Sequence, residues 1–402
     1  MTVVSCKFSK NTYNKMKFLL APDSFKESMT AKEVCQAMEK GIKSVLPNAQ
    51  IIAVPMADGG EGTTASLVDA THGQTITKKV VGPLGKKVSA NYGILGDSKT
   101  VIIEMAQASG LTYVPIQKRT SATILQTTTF GTGELIIDAL NHEVSNIIIG
   151  LGGSATNDGG AGMAQAIGIS FLDQKKQKIN HPLGGGELNK ISKIDLSNIN
   201  PKINETTFTL ASDVTNPLLG KSGASYVFGK QKGADENTQT LLDNNLSHYS
   251  SLIKEATGKS VATIPGSGAA GGLGAGLLAF TPAKIKPGVK VVAQETHLED
   301  KIQNADLVFT GEGGTDLQTK FGKTPYGVAQ IAQKHNIPVI SLAGYLGKGI
   351  EQLYECGFTA IFGILDKAEP IEMALKNGPA NVSRTTENIV RLIKYLDEEK
   401  WV

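Results

Sequence analysis

The run "GLGGSATNDGG", Gly150 to Gly160, follows the apolar "SNIIIG" and precedes "AGMAQAIGIS". Ser154, Thr156, Asn157 and Asp158 stand there among glycines, where a strand should give way to a helix. Such a turn suits an anion held on backbone amides, with a metal ion bridging the aspartate to it. "GLGGSA" also fits G-x-G-x-x-G/A, and Asp173 lies 23 residues beyond Gly150, the spacing of a dinucleotide fingerprint. Yet "GSGAAG", Gly266 to Gly271, fits the same pattern, and a bare pyrophosphate would be repelled by Asp158. Phosphate with magnesium is the better fit, Asp158 being the expected metal ligand and Asp213 its competitor.

Acids follow other apolar runs too. "APDSFK" offers Asp23, Ser24 and Lys26; "PMADGGEGT" offers Asp58 and Glu61; "LASDVTNP" offers Asp213 and Asn216; "FTGEGGTD" offers Glu312 and Asp316. Each acid has an alternative role as the cap of a following helix. In an open parallel sheet, ligands bind beyond the carboxyl ends of the strands, which is where these loops belong. No G-x-x-x-x-G-K-[ST] box, protein-kinase signature or G-x-S-x-G elbow occurs. A phosphotransferase built from this chain must cradle phosphates on other glycine turns. "GSGAAGGLGAG", opening a helix, is the candidate through Gly268, Gly271 and Gly272, with close helix packing as the alternative.

The elements that must position these loops alternate strand and helix at both ends of the chain. "KFLLA", "QIIAVP", "ADLVFTGE", "PVISLAG" and "AIFGIL" have the pattern of buried strands. "TAKEVCQAMEKGIKSVLP" has that of an amphipathic helix, with Thr30 and Glu33 as its capping box. A last charged helix is expected from about Ser383 to Lys400. The middle differs: "KKVSANYGIL" and "KTVIIEMA" look paired, and "DENTQTLLDNNLSHYSSLIKEATG" is one long helix. The expected architecture is α/β, with a parallel-sheet domain made from residues 16–80 and 288–402. Residues 81–287 form an inserted α/β domain, and the active site is expected in the cleft between.

Composition narrows the classes. Of 402 residues 45 are glycine, several of them clustered in the loops above, and the net charge of +3 with no basic block gives no footprint for nucleic acid. Cys6, Cys35 and Cys356 are odd in number and far apart, and no histidines stand four apart, so neither a disulfide framework nor a histidine zinc site is expected. No apolar run is long enough for a membrane span, and residues 1–15 lack the apolar core of a signal peptide. They are expected to be a disordered leader, either Met1 or Met16 being the start, on a cytoplasmic protein of undetermined oligomeric state.

Eleven ordered motifs carry a family resemblance, among them "APDSFKESMTA", "PMADGGEGT", "IEMAQASGL", "IIIGLGGSATNDGGAGMAQAIG", "SDVTNPLLG", "PGSGAAGGLGAGL" and "GKTPYGVA". From Met16 onward the chain resembles the bacterial class I glycerate kinases. That resemblance implies a flavodoxin-like (Rossmann-like) domain made from both chain ends with an inserted α/β domain, and ATP-dependent phosphorylation of D-glycerate with magnesium, 2-phosphoglycerate being favoured over 3-phosphoglycerate, in sugar-acid or glyoxylate catabolism. Gly314 stands where the family commonly has arginine, Lys230 where proline is usual, and Phe130 where arginine or tyrosine is frequent. Lys232 or Lys323 would have to replace the missing cation.

Phosphoryl transfer requires positioning and charge neutralisation. Asp58 is the expected base for the hydroxyl, Lys26 the substrate's anion contact with Ser24 beside it, and Lys323 the neutraliser of developing charge. Gly59, Gly60, Glu61 and Asn157 complete the expected substrate site. Gly152, Gly153, Ser154 and Thr156, with Gly268, Gly271 and Gly272, are expected around the nucleotide phosphates. Two rivals are a nicotinamide oxidoreductase using "GLGGSA" with Asp173, and a non-catalytic sugar-acid sensor, for which no basic helix-turn-helix is found.

Overall fold

The computed structural model describes residues 16–398. The expected leader and the expected helix end at Lys400 lie outside the described residues. The strands are β1 (Lys17–Leu20), β2 (Gln50–Ala53), β3 (Gln74–Val81), β4 (Lys87–Ile94), β5 (Thr100–Glu104), β6 (Asn146–Gly150) and β7 (Ser170–Leu172). They continue as β8 (Lys193–Asp195), β9 (Thr207–Ala211), β10 (Lys284–Lys286), β11 (Leu307–Thr315), β12 (Val339–Leu346) and β13 (Ala360–Gly363). Contacts divide the chain into two compact units, one made of residues up to Asp58 and from Val292 onward, the other of Gly59–Val291.

The first unit holds a parallel sheet in the order β13-β12-β11-β1-β2. By this unit's own succession of strands that is 2-1-3-4-5, the flavodoxin-like order, whose switch point lies between β1 and β11. β1 is apolar and buried over Phe18, Leu19 and Leu20, as a central parallel strand must be. Helix Ala31–Val45 begins at the expected capping box: Glu33 N donates to Thr30 Oγ1, and Thr30 N donates to Glu33 Oε2 at 2.8 Å. Its Val34, Met38 and Ile42, at four-residue spacing, are fully buried.

The last helix, Ile371–Glu398, starts well before the expected Ser383 and contains Pro379. Proline lacks the N–H that would bond the carbonyl of Leu375, one turn back. Ser28 replaces it, its hydroxyl donating to Leu375 O at 2.6 Å. That repair comes from a distant segment and leaves no trace in the local pattern.

The second unit is built on a mixed sheet, β10-β9-β6-β5-β4-β3, with a small antiparallel pair β7-β8. β3, β4 and β5 pair antiparallel, whereas β5, β6, β9 and β10 run parallel. β3 therefore belongs with the second sheet, and the first crossing between units falls at Asp58–Gly59, not at Val80. The long helix is present as Glu236–Thr257, capped by Asp235. "IEQLYECG" forms a 3-10 turn over Ile350–Cys356 instead of an α-helix. Among the described residues no helix is long and apolar enough to cross a membrane.

Gly41 in helix Ala31–Val45 allows that helix to approach Ile371–Glu398: a Cβ there would lie 2.4 Å from Ser383 O and 2.9 Å from Thr386 Cβ. Gly41→Ala gains roughly 1 kcal/mol of helix propensity, but overpacking a backbone contact costs more. The expected net loss is about 1–2 kcal/mol, measured as a lowered urea midpoint; a raised midpoint would refute the tight contact.

Candidate functional site

At the switch point of the first sheet the chain leaves β1 and Asp23 N donates to Gly311 O at 2.9 Å. The Asp23 carboxylate accepts from Ser24 N at 2.6 Å and from the Thr324 hydroxyl at 2.5 Å. Although the residue as a whole is half-buried, its carboxyl is enclosed. That desolvation, reinforced by the negative charge of Asp58 and more weakly by Glu312, raises its pKa to about 6 against the pull of Thr324 and Ser24. Asp23 and Asp58 thus form an acid pair beyond the carboxyl ends of β1 and β2.

Glu312 lies within β11, which runs on through Thr315 because its glycines let it stay paired with β12. Its buried carboxylate accepts from Thr319 at 2.6 Å and Thr315 at 3.2 Å and pairs with Lys323 at 3.0 Å. Burial pushes the Glu312 pKa up. Lys323 also donates to Gly314 O at 3.0 Å and lies 3.9 Å from Asp316. A cation therefore does approach the place where family arginine was expected; a Cβ on Gly314 would meet the Tyr345 ring at 2.7 Å. Lys26 is exposed and makes no ion pair among the described residues.

In the second unit the Gly150–Gly160 turn is mostly interior. Asp158 is fully buried and accepts from Thr129 N and Oγ1, both at 2.7 Å, and from Gly160 N at 3.1 Å and Gly162 N at 3.2 Å. Burial pushes its pKa up and those four donors pull it down. Lys232 is buried beneath the same turn, donating to Ser154 Oγ at 2.7 Å and to Thr156 O at 2.8 Å. Desolvation lowers its pKa to about 7, partly offset by Asp158. Asn157 is buried and donates to Ser225 Oγ at 3.1 Å.

Only Gly152 and Gly153 of that turn are exposed. Among the described residues their amides donate to no protein acceptor, which makes them a small anion nest. They line a cavity of about 290 Å³ together with Gly59, Gly60, Glu61 and Arg119. A Cβ on Gly152 would come within 3.1 Å of Gly60 Cα, so the two turns meet as bare backbone. Glu104, also on the lining, is committed to the helix that starts at Thr63, accepting from Thr64 N at 2.7 Å.

Several expected roles do not fit this geometry. Gly268, Gly271 and Gly272 are interior packing positions: a Cβ would strike Pro217 O at 2.1 Å, Thr156 O at 1.9 Å and Gly159 Cα at 2.9 Å. The amides of Gly268 and Gly272 already donate to Asn216 O and Gly268 O. Ser154, Thr156 and Asn157 likewise face inward, and Asp158 has no outward oxygen for magnesium. Among the described residues no cluster of three metal-ligating side chains exists. Asp213, exposed at the end of β9 with Gly288 N at 3.3 Å, fits magnesium of the kind that arrives on phosphates and takes one or two carboxylates. Asp173 accepts from Lys175 and Gln177 amides in its own turn, so it is committed there and not to a ribose.

Asp23 as a titrating acid and Arg119 on the cavity wall received no role from sequence alone. Asp23 had the signal of its strand end. Arg119 had a signal that went unused: the chain contains three arginines.

Comparison with known proteins identifies the family. Residues 18–394 match the model of the glycerate kinase family. A glycerate kinase of Halalkalibacterium halodurans is 50% identical over 92% of this chain and 96% of its own. The glycerate 2-kinase of Escherichia coli K12 is 48% identical over 93% of this chain and 97% of its own. A crystal structure from Salmonella typhimurium LT2, described as a candidate glycerate kinase 2, superposes with a TM-score of 0.87 at 45% identity, covering 96% of this chain and all of that one.

Lys232 gives a pH test. Unfolded, it holds its proton to about 10.5; folded, to about 7. Between those values the unfolded chain binds more protons, so stability from this residue rises with pH. Relative to Lys232→Met, the wild type is expected to gain about 2 kcal/mol between about pH 7 and pH 9, by urea denaturation. A pH-independent difference would mean that the ammonium is not desolvated.

Proposed function

The chain belongs to the glycerate kinase family, and from that membership we propose that it transfers the terminal phosphoryl group of ATP to the 2-hydroxyl of D-glycerate. Support for the 2-position is the name of the Escherichia coli relative, 48% identical. The setting we infer is the cytoplasm, where a phosphorylated three-carbon acid enters glycolysis from sugar-acid or glyoxylate catabolism.

The observation carrying this reading is the acid pair at the sheet's switch point, with Asp23 raised to about 6 beside Asp58. A carboxylate poised near neutral pH suits a proton acceptor. The hydroxyl oxygen forms the new O–P bond, ADP departs with the electrons of the old one, and the hydroxyl proton passes to the pair. Asp58 is the residue we assign to orient the hydroxyl, with Asp23 beside it. Ser24 holds Asp23 through its amide. Lys26 supplies a cation to the substrates' anionic groups, whereas Lys323, bound to Glu312, acts by keeping β11 in place.

In the second unit, the amides of Gly152 and Gly153 take phosphoryl oxygens, as backbone nests do without a Walker box. Gly59, Gly60 and Glu61 border the same cavity and take the substrate. Magnesium, when bound with the nucleotide, would neutralise phosphate charge; Asp213 is the carboxylate assigned to hold it.

Phosphorus NMR of the product from D-glycerate and ATP tests activity and position together. Coupling to a single proton, a doublet, is expected for phosphate on the 2-carbon; a triplet would mean the 3-carbon, and absence of any phosphoester would remove the activity. Asp58→Asn should cut kcat by about a hundredfold or more without lowering the unfolding temperature. Wild-type rate should fall as pH drops through about 6, because Asp23 then holds a proton. Asp23→Asn should lose that acid limb, and an unchanged profile would exclude Asp23.

A further inference from the structure

We propose that Arg119 is the carboxylate-recognition residue of the cavity bordered by Gly59–Gly60 and Gly152–Gly153, the ligand being a small 2-hydroxy monocarboxylic acid. This deepens the substrate assignment above and rests on it.

Composition gives the first reason. Lysine and arginine together number 40, but only Arg119, Arg384 and Arg391 are arginine. Arg384 pairs with Asp366 at 3.2 Å and Arg391 with Glu387 at 2.6 Å. Arg119 makes no ion pair among the described residues. In a chain that uses lysine for nearly all its positive charge, an arginine without an acid partner marks a position where the planar fork matters.

Placement gives the second. The Arg119 guanidinium is held by its own loop: Nε donates to Val114 O at 3.0 Å and Nη2 to Leu111 O at 3.4 Å. Its backbone is braced by Gly233, φ +105°, where a Cβ would come within 2.3 Å of Arg119 C. Five N–H groups minus two leaves three without a protein acceptor among the described residues, enough for a bidentate carboxylate, and Arg119 is on the cavity lining. Carbonyl acceptors fix the fork without neutralising it.

Size and charge give the third. The cavity, about 290 Å³, lies at the lower bound of the roughly 300–1,000 Å³ typical of small-molecule sites. Arg119 is the cation on a lining that also carries Glu61 and Glu104. A carboxylate entering the cavity finds its charge-assisted partner in Arg119, since Glu104 is already engaged by Thr64 N. Glu61 and Gln107 are left to accept and donate to hydroxyl groups of the acid.

The test is Arg119→Gln and Arg119→Lys, assayed with D-glycerate and ATP. For Arg119→Gln the KM for D-glycerate should rise about a hundredfold, the loss of one charge-assisted bidentate pair, while the KM for ATP stays within about twofold. Arg119→Lys should recover only part of this. Phenylglyoxal labelling of the wild type, read by mass spectrometry at all three arginines, needs no variant to fold. D-glycerate alone should protect Arg119, and glycerol, which lacks the carboxylate, should not. An unchanged KM for D-glycerate, protection by ATP instead of D-glycerate, or equal protection by glycerol would each overturn the proposal. Wild type that forms no ADP from D-glycerate would instead refute the activity, while the labelling result would still report on Arg119.

Discussion

Two ionisable side chains buried at one glycine turn, Asp158 and Lys232, decide which of its atoms face outward. Burying ions is costly unless hydrogen bonds replace their water. Asp158 has four such bonds, to Thr129, Gly160 and Gly162, and Lys232 has Ser154 and Thr156. The polar side chains of "GGSATND" are drawn inward, and Gly152 and Gly153 are left on the surface as bare amides. The site in this unit depends on that inversion. What the turn offers a ligand is backbone, and what it offers the protein is its side chains.

The neighbouring glycines serve the same end by a different route. Gly271 brings its chain against Thr156 O, and Gly159 N donates to Gly271 O at 3.1 Å. A glycine-rich stretch at a helix start looks like a phosphate cradle in sequence, yet here it is the floor on which the Gly150–Gly160 turn rests. In the first unit the logic is ordinary α/β geometry: strand order sets a switch point, and Asp23 and Asp58 follow the ends of β1 and β2 while β11 runs on beside them and carries Glu312.

Features governed by local rules were legible in sequence. The capping box at Thr30, the buried β1, the long helix over Glu236–Thr257 and the loops at strand ends follow from spacing alone. What was not legible depended on contacts between distant segments. The last helix was expected from about Ser383, whereas it runs from Ile371 through Pro379, with Ser28, far away in the chain, bonding the carbonyl of Leu375. Asp158 looked like a metal ligand because its partner Thr129 lies in another element. Gly268, Gly271 and Gly272 looked like anion binders because neither burial nor the nearby Pro217 and Thr156 carbonyls are written in their own motif.

The most direct test is the response of glycine amides in nitrogen-edited NMR spectra when a non-hydrolysable ATP analogue and D-glycerate are added together. Buried ionisable side chains that turn the loop's backbone outward predict large shifts at Gly152 and Gly153 and small ones at Gly268, Gly271 and Gly272. Large shifts confined to the latter three would contradict the account.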